Sequence, residues 1–400
     1  MFSKLKTIVI AFTTLLLTVA IVSFPEEVLL ASVHGLKVWW EIVFPSLLPF
    51  FIMAELLTSF GIVQFFGVLF EPVMRPLFNV RGVGSFAWIL GMVSGFPSGA
   101  KITVLLREKN EISQIEAERL LSFSNASSPL FIFGAIAVGF FHNVQLGIII
   151  AVNHYVSNMI VGLIMKHYRR NKDEKRKKET FSINNVMNKA FSRMHRTRIS
   201  ETRPLGELVG DAVLSSIQTL LMIGGFIILF SVFTSLLNVT PIMTFLQIIL
   251  TPLLHILNIP TEVIPAFITG LFEITMGAEA ISKVTAIPLV WQLVLVSFIL
   301  GFNGFSIQAQ VASLIAKTDI RFYPFFFARI THAIIASILT IITYHAYFKH
   351  NMEIVDAMNT TFTFPDFVLM IVNVVKQYGP IITILSLALA TYIITRRIKN

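Results

Sequence analysis

A chain of 400 residues that is 55% hydrophobic and only 13% charged is too poor in polar groups for soluble domains, in which about a quarter of residues are charged. Its net charge of +9 is local, because 13 of the 31 basic and 4 of the 22 acidic residues lie between positions 166 and 203 and account for all of it. Cysteine is absent, which excludes a disulfide framework and any thiolate metal site.

Apolar runs of about 20 residues recur along the chain, long enough to cross a bilayer. They predict an all-α polytopic membrane protein with about eight transmembrane helices plus two re-entrant helical hairpins in two inverted repeats. Lys4 and Lys6 precede the apolar run 7–24. That run is long for a signal peptide and no A-x-A site follows, so a retained first span with its amino end inside is expected. Residues 25–37, with Glu26 and Glu27, are expected to form an outer loop, which makes 1–38 an N-terminal span and loop. Trp39 and Trp40 read as an aromatic belt opening a second span, 40–60, that returns toward Arg75 and Arg81.

Gly91, Gly95, Pro97 and Gly99 interrupt the apolar stretch 86–106. Freed backbone groups cannot face lipid, so this stretch reads as a re-entrant hairpin turning at 95–99 beside the charged segment 107–119. Residues 120–140 then cross outward, interrupted at 124–129 by SNASSP, and 147–166 return. Repeat 1 spans 39–166.

The basic linker 167–211 reads as cytoplasmic. Phe181, Met187, Phe191 and Met194 suit an interfacial helix on anionic lipid, whereas few aromatics and no recognisable module argue against nucleic acid.

The second half repeats these events. Residues 212–237 go out, 263–285 form a Gly/Pro-broken hairpin, 291–316 return through the GFNG of 301–304, and 322–348 go out again. Repeat 2 spans 212–348. An outer loop with Glu353 and Asp356, a span interrupted by Pro380, and an inner end with Arg396, Arg397 and Lys399 occupy 349–400. Three crossings and a hairpin in each half give the halves opposite orientation, the plan of secondary transporters.

Residue matches support the repeat. At an offset of 180, Leu56, Leu57, Pro72, Leu77 and Val83 meet Leu236, Leu237, Pro252, Leu257 and Val263. At an offset of 178, Gly99, Ala100, Asn125, Ser128 and His154 meet Gly277, Ala278, Asn303, Ser306 and His332, while Lys101 falls opposite Glu279.

Such carriers bind solute where broken helices turn their ends toward one cavity; amino-terminal ends favour anions and free carbonyls favour cations. The substrate-binding candidates are Ser98, Lys101, Asn125, Ser127, Ser128, Thr275, Asn303, Ser306 and Gln308. Glu273 and Glu279 are the ion-coupling candidates, because a carboxylate in an apolar segment needs a partner or a proton. Each has a plainer reading: Ser and Asn can cap freed backbone, and Lys101 can snorkel to the interface. Glu55 and Arg329 are placed near span ends, and His154 and His332 read as packed, hydrogen-bonded histidines. No P-loop and no H-E-x-x-H occurs, and Ser94 with a distant histidine makes only a weak case for an intramembrane protease. Neither enzyme activity nor any cofactor is indicated.

WWEIVFPSLLPFFI (39–52), EPVMRPLF (71–78), GFPSGAK (95–101) and SFSNASSPLFIFGAIAVGFF (122–141) resemble the YlbJ (SpoVV) sporulation integral membrane protein family, part of the nucleoside-recognition or Gate group. GLFEITMGAEAI and GFNGFSIQAQ fit as well, so the resemblance runs over nearly the whole chain. It implies a secondary transporter of a small anionic solute, dipicolinate, moved across the outer forespore membrane from the mother cell toward the forespore. The group's relation to concentrative nucleoside transporters keeps a nucleoside-type substrate open. A membrane assembly or morphogenesis factor of the spore envelope that has kept a transporter-like fold is the other alternative. The partners implied are the small-molecule anion and the lipid bilayer, without nucleic acid, and a homo-oligomer is compatible with the sequence.

Overall fold

The computed structural model describes residues 2–170, 186–256 and 259–351, and among these every regular element is helical. Met1–Tyr344 form one compact unit. The expected last span lies outside the described residues.

Four helices are long and apolar enough to cross a membrane: α8 (Val144–Met165), α10 (Leu205–Val239), the broken pair spanning Leu289–Ile315, and α16 (Phe322–Asn351) over Phe322–His345. Two bent pairs raise the number to six if each is one span.

In the first pair, α1 (Phe2–Ser23) turns by 99° into α2 (Pro25–Val38). The expected outer loop at 25–37 is therefore a helix. Pro25 at its start and Glu26 and Glu27 in its first turn are helix-initiating signals, favoured by the fixed φ of proline and the helix dipole. It packs along α10, where Ser231 Oγ donates to the Ala31 carbonyl at 2.8 Å.

In the second pair the expected span 40–60 is replaced by wide π turns (Trp39–Val43) and α3 (Phe44–Ser59). Gly61, at φ 76°, then turns the chain by 82° into α4 (Ile62–Phe78). One end of α4 meets α9 (Val186–Ser200), where the rings of Phe65 and Phe191 lie 5.0 Å apart. At its other end the Asn79 carbonyl accepts from Arg119 at 3.0 Å. Helix α9, expected on lipid headgroups, thus rests partly on protein.

The first hairpin is α5 (Gly84–Ser94) and α6 (Ser98–Glu108), broken at residues 95–97 with a cis Phe96–Pro97 bond. A Cβ on Gly99 would sit 1.9 Å from the Ser124 carbonyl oxygen, so only glycine lets the hairpin reach the next break. The second hairpin is α12 (Ile264–Phe272) and α13 (Ile274–Ser282), broken by the single extended residue Glu273. Its arms cross so closely that a Cβ on Gly277 would lie 2.0 Å from Gly270 Cα. Small residues at such crossings let helix backbones pack in the absence of a hydrophobic drive.

The stretch 120–140 is not one continuous helix. α7 (Gln114–Ser124), started by a Ser113–Glu116 capping box, and a π-wound helix (Leu130–Phe140) flank four non-helical residues. In the second half, Asn303 in the left-handed conformation (φ 70°) separates α14 (Leu289–Phe302) from α15 (Gly304–Ile315). With α11 (Pro241–Ile256) in the place of α4, the succession of elements from α3 to α8 recurs from the end of α10 to α16.

Ion pairs gather at one end. Arg107 bonds Asp319 at 2.8 Å, Arg321 bonds Glu118 at 2.7 Å, and Arg81 bonds Glu116 at 3.1 Å. They join the 109–113 and 316–321 turns on one side, which is the side both occupy in the charge-based topology.

Candidate functional site

Three of the four breaks line one cavity of about 440 Å³, and the first turns of α15, which follow the fourth, face it. Ser94, Gly95 and Phe96 from the first hairpin, Ser127 and Ser128 from the stretch between α7 and the π-wound helix, and Glu273 with Thr275 from the second hairpin line it. Ser306 and Gln310 of α15 complete its polar part, against an apolar wall that includes Leu47, Phe131 and Ile223.

Unwound backbone inside a membrane protein must find partners within the protein. Side chains of α8 and α16 supply them here. The Ser127 N–H donates to His154 Nε2 at 3.0 Å, and Tyr155 Oη donates to the Ser127 carbonyl at 2.9 Å. Asn158 Nδ2 donates to the Phe123 carbonyl at 2.6 Å. Arg329 donates to the Asn125 carbonyl at 3.1 Å and to that of Ser122, and Asn303 Nδ2 reaches the Asn125 carbonyl at 3.4 Å. The histidines are fixed in turn, since Arg329 donates to His332 Nδ1 at 3.0 Å and His332 Nε2–H donates to the His154 carbonyl at 2.9 Å. They are hydrogen-bonded core histidines, as the sequence reading held. The segment presenting Ser127 and Ser128 is thereby held rigidly from behind.

Glu273 caps α13, its Oε2 accepting from the Met276 N–H at 2.8 Å. This satisfies an orphan amide and places a carboxylate at the positive end of the helix. No lysine or arginine is among the residues lining the cavity.

Of the residues expected from sequence, Ser127, Ser128, Thr275, Ser306 and Glu273 line the cavity. Asn125 and Asn303 meet directly behind it, both fully buried. Ser98 is buried at the start of α6, and Gln308 caps the Phe302 carbonyl at 3.0 Å.

Lys101 and Glu279 are not brought together. Lys101 lies 3.8 Å from Glu55 and 4.5 Å from the Phe51 ring, both on α3. Glu279 forms an exposed i,i+4 pair with Lys283 at 2.6 Å, outside the cavity lining. Each points off its own hairpin arm toward the nearest neighbour. Glu55, four residues before the end of α3, is the partner of Lys101, and Arg329, in the first half of α16, is fully buried. Ser94, Gln310, Tyr155 and Asn158 were not expected. The signal for the last two was present as a polar cluster, Asn153 to Asn158, inside the otherwise apolar α8.

An all-helical chain with several membrane-length helices, whose broken helices end around one internal cavity, is a polytopic membrane protein of transporter-like build. Over its full length it is 47% identical to the sporulation integral membrane protein YlbJ of Bacillus subtilis (strain 168), covering 98% of that protein. The chain belongs to this family of sporulation integral membrane proteins. Residues 40–141, which contain the first hairpin and the 125–128 stretch, match the Gate family model, described as nucleoside recognition. No solved structure matches the chain.

Proposed function

We propose that the protein is a secondary transporter that carries a small aromatic anion, dipicolinate, through this cavity across the outer forespore membrane. The observation that supports it most is the convergence of three helix breaks and the start of α15 on one cavity of about 440 Å³, a volume in the range of small-molecule sites, roughly 300–1,000 Å³. Carriers of this plan hold their solute where broken helices end. Ser127, Ser128 and Thr275 supply hydroxyls beside the amino-terminal turns of the π-wound helix and α13, and the apolar wall suits a flat ring. An unfilled cavity that Ser127, Ser128, Glu273 and Thr275 line disfavours a morphogenesis factor that merely retains the fold.

Glu273 gives a coupling route. A dianion beside an ionised carboxylate is repelled, so the solute enters with a proton or cation that neutralises Glu273. Movement of the solute is then linked to an ion gradient.

A neutral, nucleoside-like solute is the second reading, favoured by the absence of basic side chains from the lining and by the Gate match. Uptake of radiolabelled dipicolinate and of uridine into liposomes reconstituted with the purified chain decides between them. Dipicolinate uptake that a pH gradient accelerates is the expected result. Uridine uptake alone supports the second reading, and uptake of neither removes both.

A further inference from the structure

Arg329 carries a charge that no acid neutralises. It is fully buried, and among the described residues no carboxylate lies within ion-pairing distance of it. Its partners are the Ser122 and Asn125 carbonyls, Asn158 Oδ1 at 3.3 Å and the ring Nδ1 of His332. These oxygens and this nitrogen solvate the guanidinium without cancelling it. Both histidines accept a hydrogen bond on one ring nitrogen, from the Ser127 amide and from Arg329, which holds them neutral. Of the other buried cations among the described residues, Lys101 has Glu55, and Arg119 on α7 donates to the Asn79 and Tyr168 carbonyls.

The charge is also asymmetric. The position 178 residues earlier, its equivalent in the first repeat, is Ala151. One cation therefore stands behind the 125–128 segment, whose other face lines the cavity. Two residues of chain separate the carbonyl that Arg329 holds from Ser127, a span of at most about 7 Å. Ser127 itself is fully buried, and its hydroxyl has no partner within the protein.

We propose that Arg329 determines the charge selectivity of the cavity. It makes the face formed by Ser127 and Ser128 attractive to a carboxylate or other small anion without touching it, and the free Ser127 hydroxyl is the donor that meets the anion. This rests on the reading of the cavity as the solute site. A basic side chain in the lining would bind an anion tightly; one withdrawn behind a rigid segment biases the cavity while letting the solute leave.

The chain has no cysteine, so Ser128→Cys places a single thiol in the cavity. Its rates of reaction with anionic and cationic methanethiosulfonates report the local potential whatever the natural solute is. With Arg329 present, the ratio of anionic to cationic rates is expected to exceed that of a free thiol by tenfold or more. In Arg329→Gln it falls toward the free-thiol value, and Arg329→Lys retains most of it. The pH–rate profile with neutral iodoacetamide is the second readout: the nearby cation lowers the thiol's titration point, and Arg329→Gln raises it. Because Glu273 shares the lining, both readouts are repeated in Glu273→Gln. A ratio at or below the free-thiol value in that background overturns the proposal even if Arg329→Gln fails to fold. Ratios and profiles unchanged by Arg329→Gln do so as well. Protection of the thiol by dipicolinate tests the transport reading separately, so either can fail without the other.

Discussion

His154 on α8 and His332 on α16 stand 178 positions apart and face each other with ring centroids 4.7 Å apart. Asn125 and Asn303, at the same offset, are joined by a 3.4 Å hydrogen bond. Equivalent residues meet only where a two-fold relation between halves passes close to both, as at an isologous interface. The two pairs mark that line, and it runs immediately behind the cavity. Lys101 and Glu279 share the offset but lie away from the line, so each finds a local partner.

The clamp on the unwound segment is testable by removing one atom. Tyr155→Phe leaves the buried Ser127 carbonyl without its donor, at a cost of about 1–3 kcal/mol. Thermal unfolding of the purified protein should register the loss, and uptake should fall because Ser127 and Ser128 are no longer fixed. Unchanged stability and uptake would mean the clamp is dispensable.

Two glycines should behave oppositely. A Cβ at Gly277 would lie 2.0 Å from Gly270 Cα, so Gly277→Ala forces the second hairpin open and costs about 3 kcal/mol or more. Gly210 has nothing within 4 Å of the added atom, and Gly210→Ala should stabilise α10 by up to about 1 kcal/mol. The yield of monodisperse protein after detergent extraction separates the two.

The two candidate coupling carboxylates also part ways. Glu273 is in the cavity, whereas Glu279 is paired outside it. Glu273→Gln should flatten the pH dependence of uptake, and Glu279→Gln should leave it within about twofold, as expected for a surface pair worth less than about 1 kcal/mol. A flattened profile in Glu279→Gln, with Glu273→Gln like the parent, would reverse the assignment.

Lys101 and Glu55 test a structural pair. Lys101→Met leaves a largely buried carboxylate with the Ser215 hydroxyl at 3.2 Å and should cost up to about 3 kcal/mol, most of it recovered when Glu55→Gln is added. A double-mutant cycle with no coupling would show that each group is independently solvated.

At the ion-paired end, Arg107 holds the Asp319 carboxyl below its usual 3.8 through a direct hydrogen bond. A depressed carboxyl stabilises the fold fully above its unfolded value and loses that contribution as pH falls through its folded one. The stability difference between the parent and Asp319→Asn should therefore be constant above about pH 4.5 and shrink below it. Its size should stay under about 1 kcal/mol, because the pair is solvent-accessible. A difference that grows on acidification would contradict the pairing.

The sequence by itself determined where the backbone breaks and which end is charged. Glycine, proline and the SNASSP and GFNG runs act through local conformation, and Arg/Lys placement acts through the bilayer, so neither needs tertiary contacts to be read. Both hairpins, the 125–128 stretch and the Asn303 break lie where these signals put them. The repeat offset of 178 was equally legible and correctly paired Asn125 with Asn303.

Only the tertiary structure decided which side of each break looks into the cavity. Each hairpin arm can present either side inward by a rotation about its axis, and packing, not local propensity, turned Ser94 of α5 to the cavity and Lys101 of α6 toward α3. Tertiary packing also laid helix 25–38 along α10 and buried Arg329 where the Ser122 and Asn125 carbonyls beside the unwound 125–128 stretch are close enough to solvate it. Those carbonyls exist only because another segment unwinds, which is why no local reading of α16 could place the charge.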